Sequence, residues 1–183
     1  IGGSGSVAAA AGELVCRVSP HFCLTGAAAP RADDRWATDM LCRWLRCGRI
    51  STLFLSCPSH RGNASLLRCT RRLLRAASES NIPFVLRLAA RVDLLQETEL
   101  RCIIRKASAV WVQTCFCAFG TPWRKRTGLL MGNVDSQDVE ALARKRCSGV
   151  GRCSFTNKPH VQLTGSDPTG IPWTKRAEPY PTR

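Results

Sequence analysis

Ile82-Pro-Phe-Val-Leu-Arg-Leu88 decides how this chain folds, because it is a short apolar run, opened by a proline, with helical patterns on both sides. Such a run reads as a buried strand. On its N-terminal side Leu66, Leu67, Leu73 and Leu74 recur at helical spacing over 64–78, leaving Arg68, Arg71, Arg72 and Arg75 toward solvent. On its C-terminal side 93–106 reads as another helix. Further out, Ile50-Ser-Thr-Leu-Phe-Leu-Ser-Cys57 and Ser108-Ala-Val-Trp-Val-Gln-Thr-Cys-Phe116 read as strands, and Met40, Leu41, Trp44 and Leu45 mark a helix over 36–47 that Gly48 is placed to cap. Strands alternating with helices at this period predict an α/β fold with a mostly parallel sheet and flanking helices.

Composition bounds what such a domain does. With 183 residues, 44% of them hydrophobic, the chain has material for one core and a short appendage. Lys and Arg number 27 against 13 Asp and Glu, a formal charge of +14, so the expected partner is a polyanion. Nucleic acid comes first and an anionic membrane surface second; an arginine-biased composition that only aids solubility is the bland alternative. Eleven cysteines at irregular spacing do not form a disulfide framework, and no charged, apolar and small-residue leader opens the sequence. A reducing, intracellular compartment is therefore expected, cytoplasmic or nuclear. No apolar run approaches the length of a membrane span, so no membrane partner is expected.

Two segments lie outside the alternating pattern. Cys115-Phe-Cys-Ala-Phe-Gly-Thr-Pro-Trp-Arg-Lys-Arg-Thr127 ends a strand in a Gly/Pro turn that presents three consecutive cations, a chemistry suited to a phosphate backbone and equally to an ordinary basic turn. Beyond it come a short apolar stretch over 128–131 and an acidic-capped segment over 135–145. The expected organisation is a main domain over 1–145 and an irregular basic tail over 146–183. In that tail Cys147, Cys153 and His160 are one ligand short of a closed zinc site. Cys115 or Cys117 would have to complete it, and the spacing matches no zinc pattern, so no metal is assigned from sequence.

These blocks together resemble the cytosine-5 DNA methyltransferases, in their phage-type and mobile-element-associated relatives, over roughly 2–165. The aromatic-Gly-x-Pro-aromatic-Arg-Lys-x-Thr run at 119–127 carries the resemblance, as do Trp44-Leu-Arg-Cys-Gly-Arg-Ile-Ser-Thr-Leu-Phe-Leu-Ser-Cys-Pro-Ser59 and Cys-x5-Cys-x6-His-x2-Leu-x-Gly at 147–165. The resemblance implies a Rossmann-like domain, S-adenosylmethionine as cofactor and DNA as partner. Gly3, Ser4 and Gly5 then look like the surviving half of the family's cofactor loop, on a chain that begins too late to include the first strand. Asp34 and Asp39 become candidates for the cofactor's ribose or adenine, although an Asp-rich turn before a helix explains them as well.

The same resemblance exposes departures. A cysteine thiolate that adds to carbon 6 of an extruded cytosine is the family's nucleophile. Here Pro58 aligns with the family's proline and Ser59 stands in the nucleophile's place, while Cys57 lies one residue before the proline, where a buried small side chain closing a strand explains it equally. The family's Glu-Asn-Pro glutamate is replaced at Arg87, a permanent cation that donates no proton at neutral pH. Trp123, Arg124, Lys125 and Arg126 are the expected DNA contacts, with Trp123 or Phe119 stacking on a base. Three readings follow: a methyltransferase-like protein impaired in catalysis, a non-enzymatic basic nucleic-acid-binding protein, or the product of a decayed reading frame.

Overall fold

Helix α1, Arg35–Arg46, buries Ala37, Thr38, Leu41, Cys42 and Leu45, positions three and four apart that fall on one face. It closes at Gly48 in the left-handed region (φ 71°), with the Arg49 amide donating to the Trp44 carbonyl at 2.9 Å. This is a Schellman closure, as the glycine's position predicts. Helices α2, Ala64–Glu79, and α3, Thr98–Lys106, close in the same way on Asn81 (φ 52°) and Ser108 (φ 46°). There the Ile82 amide donates to Ala77 at 2.9 Å and the Ala109 amide to Ile104 at 2.8 Å. Each left-handed residue turns the chain out of a helix toward a strand: β1, Leu53–Cys57; β2, Phe84–Leu88; and β3, Val110–Cys115. The structure is a computed structural model and describes residues 35–57, 64–88 and 98–176.

The 128–131 stretch belongs to a fourth strand, β4, Arg126–Gly132. The sheet order is β1-β2-β4-β3: β1 pairs parallel with β2, and β4 pairs antiparallel with both β2 and β3. Strand direction agrees with the alternation, since β1, β2 and β3 run the same way. Pairing does not, because the reversed β4 is inserted between β2 and β3 and makes the sheet mixed. The cause lies in 116–125, a compact turn with no crossover helix, and such a link returns the chain antiparallel. Two glycines fit β4 into its slot. A Cβ on Gly132 would enter the Phe84 ring, and one on Gly128 the Trp111 ring.

One core lies on the face of the sheet that gathers α1, α2 and α3: Leu41, Leu45, Leu73, Leu74, Leu100 and Ile103 pack with Leu55, Phe84, Leu86 and Leu130. Full burial of each such side chain contributes about 1.5–3 kcal/mol. Val112, Leu129 and Met131 form a second cluster, against which Val85, Val139 and Leu142 pack, the last two from α4, Ser136–Ala143. Asp135 caps α4, its carboxylate accepting from the Gln137 amide at 2.7 Å. The arginines expected to line α2 on its solvent side are in large part engaged. Arg72 pairs with Asp39 of α1, and Glu99 of α3 takes both Arg71 (3.0 Å) and Arg75 (3.4 Å). These exposed pairs align three helices at a net gain of about 0–1 kcal/mol each.

The segment after α4 is irregular and held to the sheet. Lys145 presents its carbonyl to the Cys115 amide at 2.9 Å and to the Thr114 hydroxyl at 3.1 Å. Further along, the Val161 amide donates to Pro122 at 2.9 Å. Near its end Asp167 is buried and accepts from the Thr169 amide and hydroxyl and the Ile171 amide, before a last short helix, α5, Trp173–Arg176. Among the described residues no helix is long and apolar enough to cross a membrane.

Candidate functional site

The carboxyl ends of β1, β2 and β3 lie on one edge of the sheet, where open α/β sheets hold their ligands. Register fixes who meets whom there. Ser56 stands beside Arg87, Cys57 beside Leu88, Leu88 beside Gly128, and Cys115 beside Arg126, the first residue of β4. Arg87 is half-buried, and its Nη1 donates to the Ser56 hydroxyl at 3.4 Å. Two sequence candidates 30 residues apart, Cys57 and Arg87, thus lie on the last two rungs of the β1–β2 pairing, Cys57 at the end of β1 and Arg87 one residue before the end of β2. Ser59 lies outside the described residues, as do Gly3, Ser4, Gly5 and Asp34. Asp39 is described and exposed, and one of its carboxylate oxygens pairs with Arg72.

The turn from β3 to β4 sits on the same edge. It starts with a single 3-10 turn, Phe116–Phe119, closed by Gly120 at φ 86°. The Phe116 amide donates to Lys125 at 3.1 Å and the Thr121 hydroxyl to Trp123 at 3.1 Å. The consecutive cations are not equivalent. Arg124 is half-buried and its Nη2 donates to the Cys147 carbonyl at 2.7 Å. Lys125 places Nζ 5.1 Å from the centroid of the Phe116 ring, a cation–π contact. Arg126 is exposed. Trp123 and Phe119 are half-buried, and the Trp123 indole nitrogen is buried without an acceptor among the described residues. Of the four expected DNA contacts, Arg126 presents itself to solvent most openly, whereas Arg124 joins the turn to the tail.

At this turn the structure gathers four side chains whose spacing in sequence matches no zinc pattern. The Cys117, Cys147 and Cys153 sulfurs and a His160 ring nitrogen all lie within 4.8 Å of one another. The three cysteines are buried and free, and His160 Nε2 is 3.7 Å from Cys147 Sγ. Cys117 comes from the 3-10 turn. The other three come from a loop closed by its own backbone, with Cys153 N donating to Lys158 O, Asn157 N to Cys153 O and His160 N to Gly151 O, each at 2.8 Å. Gly149 permits this path, because a Cβ there would collide with the Arg152 carbonyl. Of the two candidates left open for the fourth position, Cys117 occupies it. Cys115 is buried nearby and outside the ligand set.

Donors converge on these sulfurs. The Ser154 amide and hydroxyl both lie 3.4 Å from Cys147 Sγ. Burial works against a charge on Cys147, but the Ser154 and Gly149 donors and the Cys117 thiol outweigh it and hold its pKa below the ordinary thiol value. Cys153 is lowered as well: burial raises it, and donors from Phe155 and Thr156 more than compensate. Cys117 moves the other way, raised by burial and by its hydrogen bonds to the other two sulfurs. No protein-family model, curated protein or solved structure matches the chain.

Proposed function

We propose that the chain is a DNA cytosine-5 methyltransferase-like domain that keeps a DNA-facing edge and has lost the residues its chemistry needs. The supporting observation is the in-register pairing of β1 with β2. It makes neighbours of the two segments that resemble the family's nucleophile loop and its Glu-Asn-Pro element, with the basic turn on the same edge. The order β1-β2-β4-β3 is compatible with one half of a Rossmann-like sheet. In this reading Ser59 occupies the nucleophile's place, Cys57 is the nearby thiol, and Arg87 stands where a carboxylic acid would hold the cytosine ring. S-adenosylmethionine is the cofactor the reading assigns, and it supplies the methyl group when bound. Gly3, Ser4 and Gly5 form its loop, and Asp34 and Asp39 are the candidate acids, of which Asp39 also pairs with Arg72. Arg126 meets DNA phosphate, while Trp123, Arg124 and Lys125 shape the turn that presents it. The free thiols of Cys42, Cys47, Cys69 and Cys102 fit a reducing intracellular compartment.

The guanidinium of Arg87 at the ring-binding position favours a second reading, a non-enzymatic basic nucleic-acid-binding protein. Transfer of a labelled methyl group from S-adenosylmethionine to cytosine-containing DNA separates the two. The wild type is expected to transfer nothing above a heat-inactivated control, and Ser59→Cys combined with Arg87→Glu to gain measurable transfer. A folded double variant that transfers nothing, in a protein whose DNA binding weakens steeply with salt, supports the second reading instead.

A further inference from the structure

The geometry assigns a structural zinc site to Cys117, Cys147, Cys153 and His160. Tetrahedral zinc, with Zn–S bonds of about 2.3 Å and Zn–N bonds of about 2.0–2.1 Å, holds two sulfurs about 3.8 Å apart and a sulfur and a nitrogen about 3.6 Å apart. The 3.7 Å between Cys147 Sγ and His160 Nε2 is already close to the second figure, and the other donors lie within 4.8 Å, so sub-ångström movements close the site. Three soft sulfurs and one imidazole suit zinc and exclude magnesium and calcium, which take oxygen ligands. Three cysteines also cannot pair off among themselves, so a disulfide would strand one thiol beside the histidine.

Four protein ligands fill a tetrahedron and leave no position for water or substrate, so the ion's role is structural. Binding converts each thiol still protonated to a thiolate and releases its proton; His160 ligates as neutral imidazole through Nε2. Three thiolates and a divalent ion carry a net charge of −1. The Ser154 amide and hydroxyl, both on Cys147 Sγ, are the outer partners that orient a ligating sulfur. The ion would staple 147–160 to the turn that follows β3, adding to the hydrogen bond from Arg124 to the Cys147 carbonyl. The site stands on its own geometry, whether or not the chain binds S-adenosylmethionine or DNA.

The test uses the full chain, purified under reducing conditions from zinc-replete cells. Elemental analysis is expected to find one zinc per chain. After removal of the metal with a chelator, Co(II) added to the reduced protein is expected to give the intense visible bands of tetrahedral thiolate coordination at one equivalent. Cys117→Ser and Cys153→Ser should weaken zinc binding by more than about 100-fold, and Ser154→Ala by about 10- to 100-fold. Cys115→Ala should leave stoichiometry and spectrum unchanged. Should the ligand variants fail to fold, the wild-type cobalt spectrum and zinc content decide alone. Metal-free wild type with no cobalt spectrum, a native disulfide within the cluster, or dependence on Cys115 in place of Cys117 would overturn the assignment.

Discussion

Replacing Arg124 and Arg126 separately by alanine tests whether the cation that builds the turn is distinct from the one proposed to meet a DNA phosphate. Arg124 is half-buried and donates to the Cys147 carbonyl at 2.7 Å, a charge-assisted bond inside the protein. A hydrogen bond to a charged group contributes about 1.5–3 kcal/mol. For a chain of this length each kcal/mol moves the thermal midpoint by about 2–4 °C, so Arg124→Ala should lower it by roughly 3–12 °C. Arg126 is exposed at the first position of β4, and its replacement should change stability by no more than about 0.5 kcal/mol. On DNA the order reverses. Fluorescence anisotropy at several salt concentrations should show that Arg126→Ala reduces the slope of log affinity against log salt by about 0.9, the amount of one phosphate contact. Arg124→Ala should leave that slope nearly unchanged. An unaltered melting point for Arg124→Ala, together with a slope reduced by about 0.9, would refute this division of labour.

Other substitutions read other parts of the fold. Gly132→Ala pushes a methyl group into the Phe84 ring and should cost about 1–3 kcal/mol in urea unfolding; an unshifted midpoint would mean that β4 is not seated against that ring. Ser108→Gly removes the penalty of a left-handed serine at the end of α3 and should raise the thermal midpoint by about 2–4 °C, whereas a fall would count against the Schellman closure there. Burial raises the Cys42 thiol above its ordinary 9.0 against the pull of Arg72 and Arg46, and its proton reaches the Arg72 carbonyl at 3.8 Å. A folded-state value above the unfolded one stabilises below the unfolded pKa, and that contribution is lost as pH rises through the folded value. Thermal scans from about pH 8 to 10 should therefore show wild type losing stability more steeply than Cys42→Ala; parallel curves would contradict the burial effect.

The helices and parallel-running strands were legible because each rests on a local signal. Leu41 and Leu45 repeat at helical spacing, and Phe84, Leu86 and Leu88 alternate with half-buried Val85 and Arg87. Gly48 announces the end of α1, but Asn81 and Ser108 do the same work without a glycine to mark them. β4 was hidden for a physical reason. Thr127 through Gly132 are buried without alternation, and Gly128 and Gly132 are poor strand formers in isolation that only the rings of Trp111 and Phe84 explain. The mixed pairing was hidden with it, because β4 is the strand that runs antiparallel between β2 and β3. Cys147, Cys153 and His160 were visible as candidate ligands, but Cys117 lies 30 positions before Cys147 and reaches the site only because β3 ends beside the carbonyl of Lys145. Likewise the four α2 arginines read as a basic face toward solvent, and only the packing of α1 and α3 supplied Asp39 and Glu99 to Arg71, Arg72 and Arg75.

Calorimetric titration of the purified chain with S-adenosylhomocysteine tests the central claim most directly, since this demethylated product probes cofactor binding without requiring turnover. Saturable binding that weakens on Gly5→Val is the predicted result. Absence of heat from a protein that unfolds cooperatively would contradict a methyltransferase-type domain and leave nucleic-acid binding as the function.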